Sequence, residues 1–216
     1  MKGLYHKVIG NPFTEKLLFR ETDNKPGEIY FAEIDPFQVK YISLLPSRPF
    51  FLDETARKGV VSGLWDHVRQ NSSNDFPYRT AQQLAGGLRS EDTVKYKKAR
   101  KTLSHKKALG QTETFFVLIE QISRAGYLSQ YELGDHEKKT RALGEYQIPS
   151  NEMVVGLARN GGYIRLAGGR HRLGIVRCLG IRKIPVILSL IHGKASGKLP
   201  DKRRVITGNP EDYRPF

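Results

Sequence analysis

The chain has 216 residues, 38% of them hydrophobic and 27% charged, with ten Phe and ten Tyr. That is enough apolar material for a packed core in one large or two small domains, which excludes whole-chain disorder. No run approaches a membrane span, Met1 to Phe13 has no continuous apolar stretch of the signal-peptide kind, and the single cysteine, Cys178, excludes a disulfide framework and a multi-cysteine zinc site.

The expectation is therefore a cytoplasmic protein with no membrane span. The net charge of +14 points to polyanionic partners: nucleic acid, nucleotides or an anionic surface. Residues 61–110 and 151–216 carry nearly all of the excess, whereas 1–60 is close to neutral and 111–150 is slightly acidic.

In chain order, Glu28 to Ile34 is aromatic and β-branched, and Asp35-Pro36 closes it as a strand and turn. Phe37 to Leu45 reads as a second extended piece, ended by Pro46 and Pro49. Residues 46–93 are rich in Pro, Gly, Ser and Asn; Gly63 to Asp66 and Asn71 to Asp75 read as loops, with Trp65 and Asp66 as a packing anchor and a cap. Glu91 to Lys107 is helix-compatible, very polar and expected to lie exposed. Its Lys95, Lys97, Lys98 and Lys101 are the candidate nucleic-acid contacts, acting on phosphates because Tyr96 alone offers a ring for stacking.

Thr112 to Arg124 is the clearest helix. Thr112 or Thr114 can cap it, Phe115, Leu118, Ile119 and Ile122 fall on one face, and Gly126 ends it. Gly134 to Ser150 reads as a polar inserted loop. Glu152 to Leu157 and Tyr163 to Ala167 read as strands joined by a hairpin turn at Asn160-Gly161-Gly162. Gly168-Gly169 breaks the second strand, Arg170 to Leu179 forms a helix closed by Gly180, and Ile184 to Ile191 is a buried strand with Pro185 at its start. The tail from Gly193 is basic and expected to be irregular.

The stretch that carries chemistry is strand, Gly-Gly, helix. Glycines let a backbone approach an anion closely, and the first N–H groups of a helix lack partners within it. Here the helix opens on Arg170, His171 and Arg172, and cations at that end oppose the helix dipole. They belong there when an anion sits among them, which makes Gly168, Gly169, Arg170, His171 and Arg172 the candidate phosphate site. Glu120, Glu132, Asp135 and Glu152 could each supply a base or a metal ligand, but their spacing is not diagnostic and solvated surface is the expectation. His105, His136 and His192 form no metal pattern, although His192 follows the last strand and could reach a ligand.

Tyr163 to Arg172, the helix to Leu179 and then Gly180-Ile-Arg-Lys-Ile-Pro-Val186 resemble the ParB/sulfiredoxin superfamily, with its strand, Gly-x-x-Arg turn, helix and Ile-Pro-Val strand. The resemblance spans 112–191 with a gap at 131–150, and extends faintly to 28–45. It implies a mixed α/β fold as a single domain over 1–216, with 46–111 as a helical and loop insertion packed on one side and 193–216 as a basic tail.

It also implies binding of a nucleotide, ATP or CTP, with Mg²⁺, through Gly168, Gly169, His171 and Arg172. The family's activities differ, so three readings follow. One is a nucleotide-dependent phosphotransferase or hydrolase with Arg170 and His171 as catalytic groups. The second is a DNA-binding or nuclease-type module, and the third is a nucleotide-sensing scaffold. Sulfiredoxins place a cysteine between the glycine and the His-Arg pair, where this chain has Arg170. The kinase branch has Asp where this chain has Gly168. No helix-turn-helix follows the last strand.

Overall fold

The computed structural model describes residues 20–21, 29–44, 60–72, 75–130, 132–134, 140–143, 146–149, 152–207, 212 and 214. In chain order the strands are β1 (Arg20–Glu21), β2 (Tyr30–Ile34), β3 (Tyr41–Ser43), β4 (Val60–Ser62), β5 (Arg69–Asn71), β6 (Thr140–Leu143), β7 (Tyr146–Pro149), β8 (Val154–Leu157), β9 (Tyr163–Ala167), β10 (Ile184–His192) and β11 (Arg203–Val205). The α-helices are α1 (Phe76–Ala85), α2 (Val94–Ala99), α3 (His105–Ala125) and α4 (Arg170–Cys178). The architecture is mixed α/β, and no helix among the described residues is long and apolar enough to cross a membrane.

β10 is the spine of a nine-stranded mixed sheet. One edge runs parallel to β8. The other pairs antiparallel with β2 over Ile184 to Leu188 and then parallel with β4 at Ile191 and His192. From β8 the sheet continues through antiparallel β9, parallel β3 and antiparallel β5, while β11 lies against β2 and β1 against β4. β6 and β7 form a separate hairpin.

A strand covered on both faces must be apolar at nearly every position. Val186, Leu188 and Ile191 of β10 face the helices, while Ile187 and Leu190 pack with Phe31, Trp65 and Ile164 on the other side. A bulge between Leu188 and Leu190 resets the alternation at Ser189, which is why 188 and 191 share a face. Gly156 of β8 is required by its neighbour: a Cβ there would lie 2.8 Å from the Trp65 ring.

The helical layer packs through Ala81 and Leu84 of α1, Phe115, Ile119 and Ile122 of α3, and Leu173 and Val176 of α4. α1 and α4 cross at Gly174, where a Cβ would sit 2.6 Å from the backbone nitrogen of Tyr78. Arg177 ties α4 to the chain entering β3 and the chain leaving β5: Nε donates to the Pro36 carbonyl at 2.9 Å, Nη1 to Ser72 Oγ at 2.9 Å, and Nη2 to the Val39 carbonyl.

Several expectations change. Within 46–111, β4 and β5 join different parts of the sheet, and Phe76–Ala85 forms a helix that the sequence did not single out. The helix expected from Thr112 starts at His105 with Ser104 as its cap. Thr112 and Thr114 instead turn their hydroxyls back to the Ala108 and Gly110 carbonyls. The 91–107 segment divides into a short 3₁₀ turn, α2 and the start of α3. The tail supplies β11 and the buried Ile206, and the expected loop at 134–150 contains the β6–β7 hairpin. Residues 46–59 and the candidates Asp135 and His136 lie outside the described residues.

Candidate functional site

The site begins at a bulge in β9. Val154 faces Ala167 and Val155 faces Arg165, so Leu166 is the extra residue, and the strand then turns sharply at two glycines. Gly168 and Gly169 both have positive φ, 61° and 56°. A Cβ at Gly169 would lie 2.7 Å from Met153 Cβ, so this position needs glycine for its backbone angle and for its close approach. α4 starts at the next residue. Gly169 has no side chain to cap it, so its first N–H groups open toward a cleft of about 970 Å³.

Four basic side chains of the motif region face this cleft in different states. Arg165, from β9, lies beneath the turn with Nη1 donating to the Gly168 carbonyl at 3.0 Å. Burial pulls its pKa down to about 10, with the charge of Arg170 adding to the effect, and it stays protonated at neutral pH. Arg170 is held by Asp75, with Nε donating to the carboxylate at 2.8 Å and Nη2 to the same oxygen, and its guanidinium lies 4.6 Å from the Phe76 ring centre.

His171 keeps an open edge on the cleft, yet Phe76 and Phe115 meet its ring edge-on at 6.2 and 5.3 Å. Burial, followed by the charges of Lys95, Arg170 and Arg165, pushes the imidazole down to about 4, against a smaller opposing effect of Asp75. It is neutral at physiological pH.

Arg172 is oriented by neutral acceptors. Nη1 donates to the Tyr127 hydroxyl and the Leu128 carbonyl, each at 3.4 Å, and the Gln130 amide, turned with its oxygen to the guanidinium, accepts from Nη1 at 3.1 Å. Behind them lies Glu152, fully buried where solvated surface was expected, accepting from the Gln130 backbone N–H at 2.8 Å. Burial raises the Tyr127 hydroxyl's pKa, and the charge of Glu152 adds to the rise. Leu118 and Ile122 of α3, with Tyr127 and Leu128, form an apolar wall opposite the arginines.

Of the lysines singled out in 91–107, Lys95 turns inward. It is buried, with Nζ 5.4 and 5.9 Å from the Phe115 and Phe76 ring centres. Lys98 places Nζ 4.3 Å from the Phe76 ring centre, while Lys97 and Lys101 are exposed. The fold therefore turns Lys95 toward the rings beside His171 and leaves Lys97, Lys98 and Lys101 exposed. Asp75, Phe76, Tyr127, Gln130 and Arg165 complete the site, and none was a site candidate from the sequence. The signals present were Asp75 just ahead of Pro77 at a helix start, and a lone arginine in the apolar run 163–167.

His192 does not reach the cleft. It is buried beside Trp65, and its Nδ1 accepts the Lys194 N–H at 3.2 Å, so the ring proton lies on Nε2, 3.3 Å from the Gly63 carbonyl. Asp66 is buried and gripped by Arg159, with Nε at 2.9 Å and Nη2 at 2.6 Å. Burial pushes this carboxyl up, but the Arg159 contacts outweigh it and hold it below the usual range. This pair pins the hairpin tip to residues 63–66. Cys178 packs in the last turn of α4, away from the glycines, and burial raises its pKa.

No Asp or Glu lines the cleft among the described residues, and no group of three His, Cys, Asp or Glu there could hold a metal. The donor set of the described residues fits phosphate groups and does not fit Mg²⁺ bound directly by protein. Compared with protein-family models, curated proteins and solved structures, the chain matches none.

Proposed function

We propose that this chain is a nucleotide-binding protein of ParB/sulfiredoxin type whose Gly168–Arg172 turn holds the phosphates. The observation that carries the reading is the pair of positive-φ glycines at the start of α4, opening into a cleft lined by Arg165, Arg170, His171 and Arg172. Phosphates lie at the turn, and the base and sugar lie along the apolar wall of α3. A volume of about 970 Å³ suits a ligand of that size.

Binding is favoured over turnover. Phosphoryl transfer needs a group to accept a proton, and an imidazole held near 4 is a poor acceptor at neutral pH. Arg170, already neutralised by Asp75, serves to position the turn. Nucleotide hydrolysis abolished by His171→Gln would overturn this choice in favour of a catalytic site.

The binding test is thermal shift and titration with ATP, CTP, GTP and inorganic phosphates. Arg172 presents a planar fork able to grip two phosphate oxygens. Arg172→Ala should cost about 1.5–3 kcal/mol of binding, roughly a ten- to hundredfold loss of affinity, and Arg172→Lys should restore only part of it. Failure of every nucleotide and phosphate to bind at millimolar concentration would remove the reading.

A further inference from the structure

We propose that Lys95 and Arg165 supply the counter-charge that a divalent metal supplies in many nucleotide sites, so that this cleft binds polyphosphates without metal. The inference rests on the phosphate-binding reading of the turn and adds to it a residue from outside the strand–turn–helix unit.

Lys95 comes from α2, yet its side chain lies against the two aromatic rings that flank His171, so its charge falls on the first turn of α4. It is 8% exposed, and burial alone, with no carboxylate to offset it, acts on its charge among the described residues. A buried ammonium without a counter-ion destabilises the fold, and burial lowers its pKa accordingly. Arg165 shows the same conflict from beneath the turn: one arm donates to the Gly168 carbonyl while Nε is buried with no acceptor.

Two such buried cations whose charges both act on His171 at the start of α4 match an anion of at least two charges. Arg172 adds to the field, and no carboxylate among the described lining residues offers Mg²⁺ a ligand. Mg²⁺ would then reach the phosphates only by competing with the protein's cations for the same oxygens.

The experiment is calorimetric titration of the full chain with ATP, CTP and tripolyphosphate, each in EDTA and in excess Mg²⁺. Binding in EDTA, weakened severalfold by Mg²⁺, is expected. Lys95→Met keeps the aliphatic stem and removes the buried charge. It should weaken binding in EDTA about ten- to a hundredfold while raising the melting temperature of the protein without ligand. Binding that requires Mg²⁺ would overturn the inference and leave the phosphate turn standing. Absence of binding under both conditions would overturn the turn itself. Unchanged affinity in Lys95→Met, or a fall in both melting temperature and affinity, would make Lys95 a structural residue and overturn its assigned role.

Discussion

At the scale of single residues, the cleft is a set of local preferences set against each other. Gly169 is held at φ 56° with no room for a methyl group beside Met153. Gly169→Ala must adopt a left-handed angle and also push the Met153 side chain aside from its Cβ outward, so it should destabilise by about 1–3 kcal/mol, read from denaturant titration. His171 is the titrating counterpart. Its folded state resists the proton that an unfolded chain takes up near 6.5, so the stability of the neutral form is complete above that pH. That stability is lost as the pH falls toward 4. An anion in the cleft reverses the preference by favouring the imidazolium. Sulfate keeps its two charges throughout this range and is the cleaner probe. Its stabilising effect should grow as the pH falls from 7 to 5 in the wild type and stay flat in His171→Gln, measured as the melting-temperature increment at fixed sulfate. An increment equally pH-dependent in both would place the titrating group elsewhere.

At the scale of elements, the helix pair α1–α4 sets the position of the turn. Gly174 in mid-α4 lets the start of α1 approach until a Cβ would meet the backbone of Pro77 and Tyr78. Backbone cannot swing aside as a flexible side chain can, so Gly174→Ala should cost about 1–3 kcal/mol through overpacking despite alanine's better helix propensity. Urea titration reads it, and a stabilised variant would mean the helices separate easily. The same pair shows what a sequence can reveal. β8, β9, α4 and β10 were legible because a turn-forming Asn-Gly-Gly, a Gly-Gly break and an Ile-Pro start punctuate strongly apolar runs. α1 was not, because its buried residues are Pro77, Thr80, Ala81 and Leu84, which carry little hydrophobic periodicity. The first turns of α3 were hidden for a related reason, their buried positions being Ala108 and Thr112. β11, Arg203-Arg204-Val205, is an edge strand whose polar side chains resemble a solvated tail. The glycines and the Arg-His-Arg run of the cleft were readable as a local motif. Asp75, Lys95 and Arg165 were not, because only the tertiary path brings them to the turn.

At the scale of the whole molecule, the excess of positive charge is split between an inward and an outward use. Inside, Arg165 lines the cleft and Lys95 lies against the rings beside His171. Outside, Lys97, Lys98, Arg100 and Lys101 are exposed along α2 and the residues after it. Exposed cations with few aromatics meet nucleic acid through phosphates alone, and such contacts release counterions. The chain is therefore expected to bind DNA weakly, without sequence preference, and with strong salt dependence. Reversing Lys97, Lys98 and Lys101 to Glu should weaken that binding and reduce the slope of log K against log salt by about 2–3, since each lost phosphate contact to duplex DNA accounts for about 0.9. Arg172→Ala, altered only in the cleft, should leave DNA binding unchanged. Fluorescence anisotropy with one labelled duplex at several salt concentrations reads both variants. Sequence-selective binding that persists at high salt would show that base edges are read and would favour a DNA-recognition module. Equal loss in the triple variant and in Arg172→Ala would mean that cleft and surface form one polyanion path rather than two.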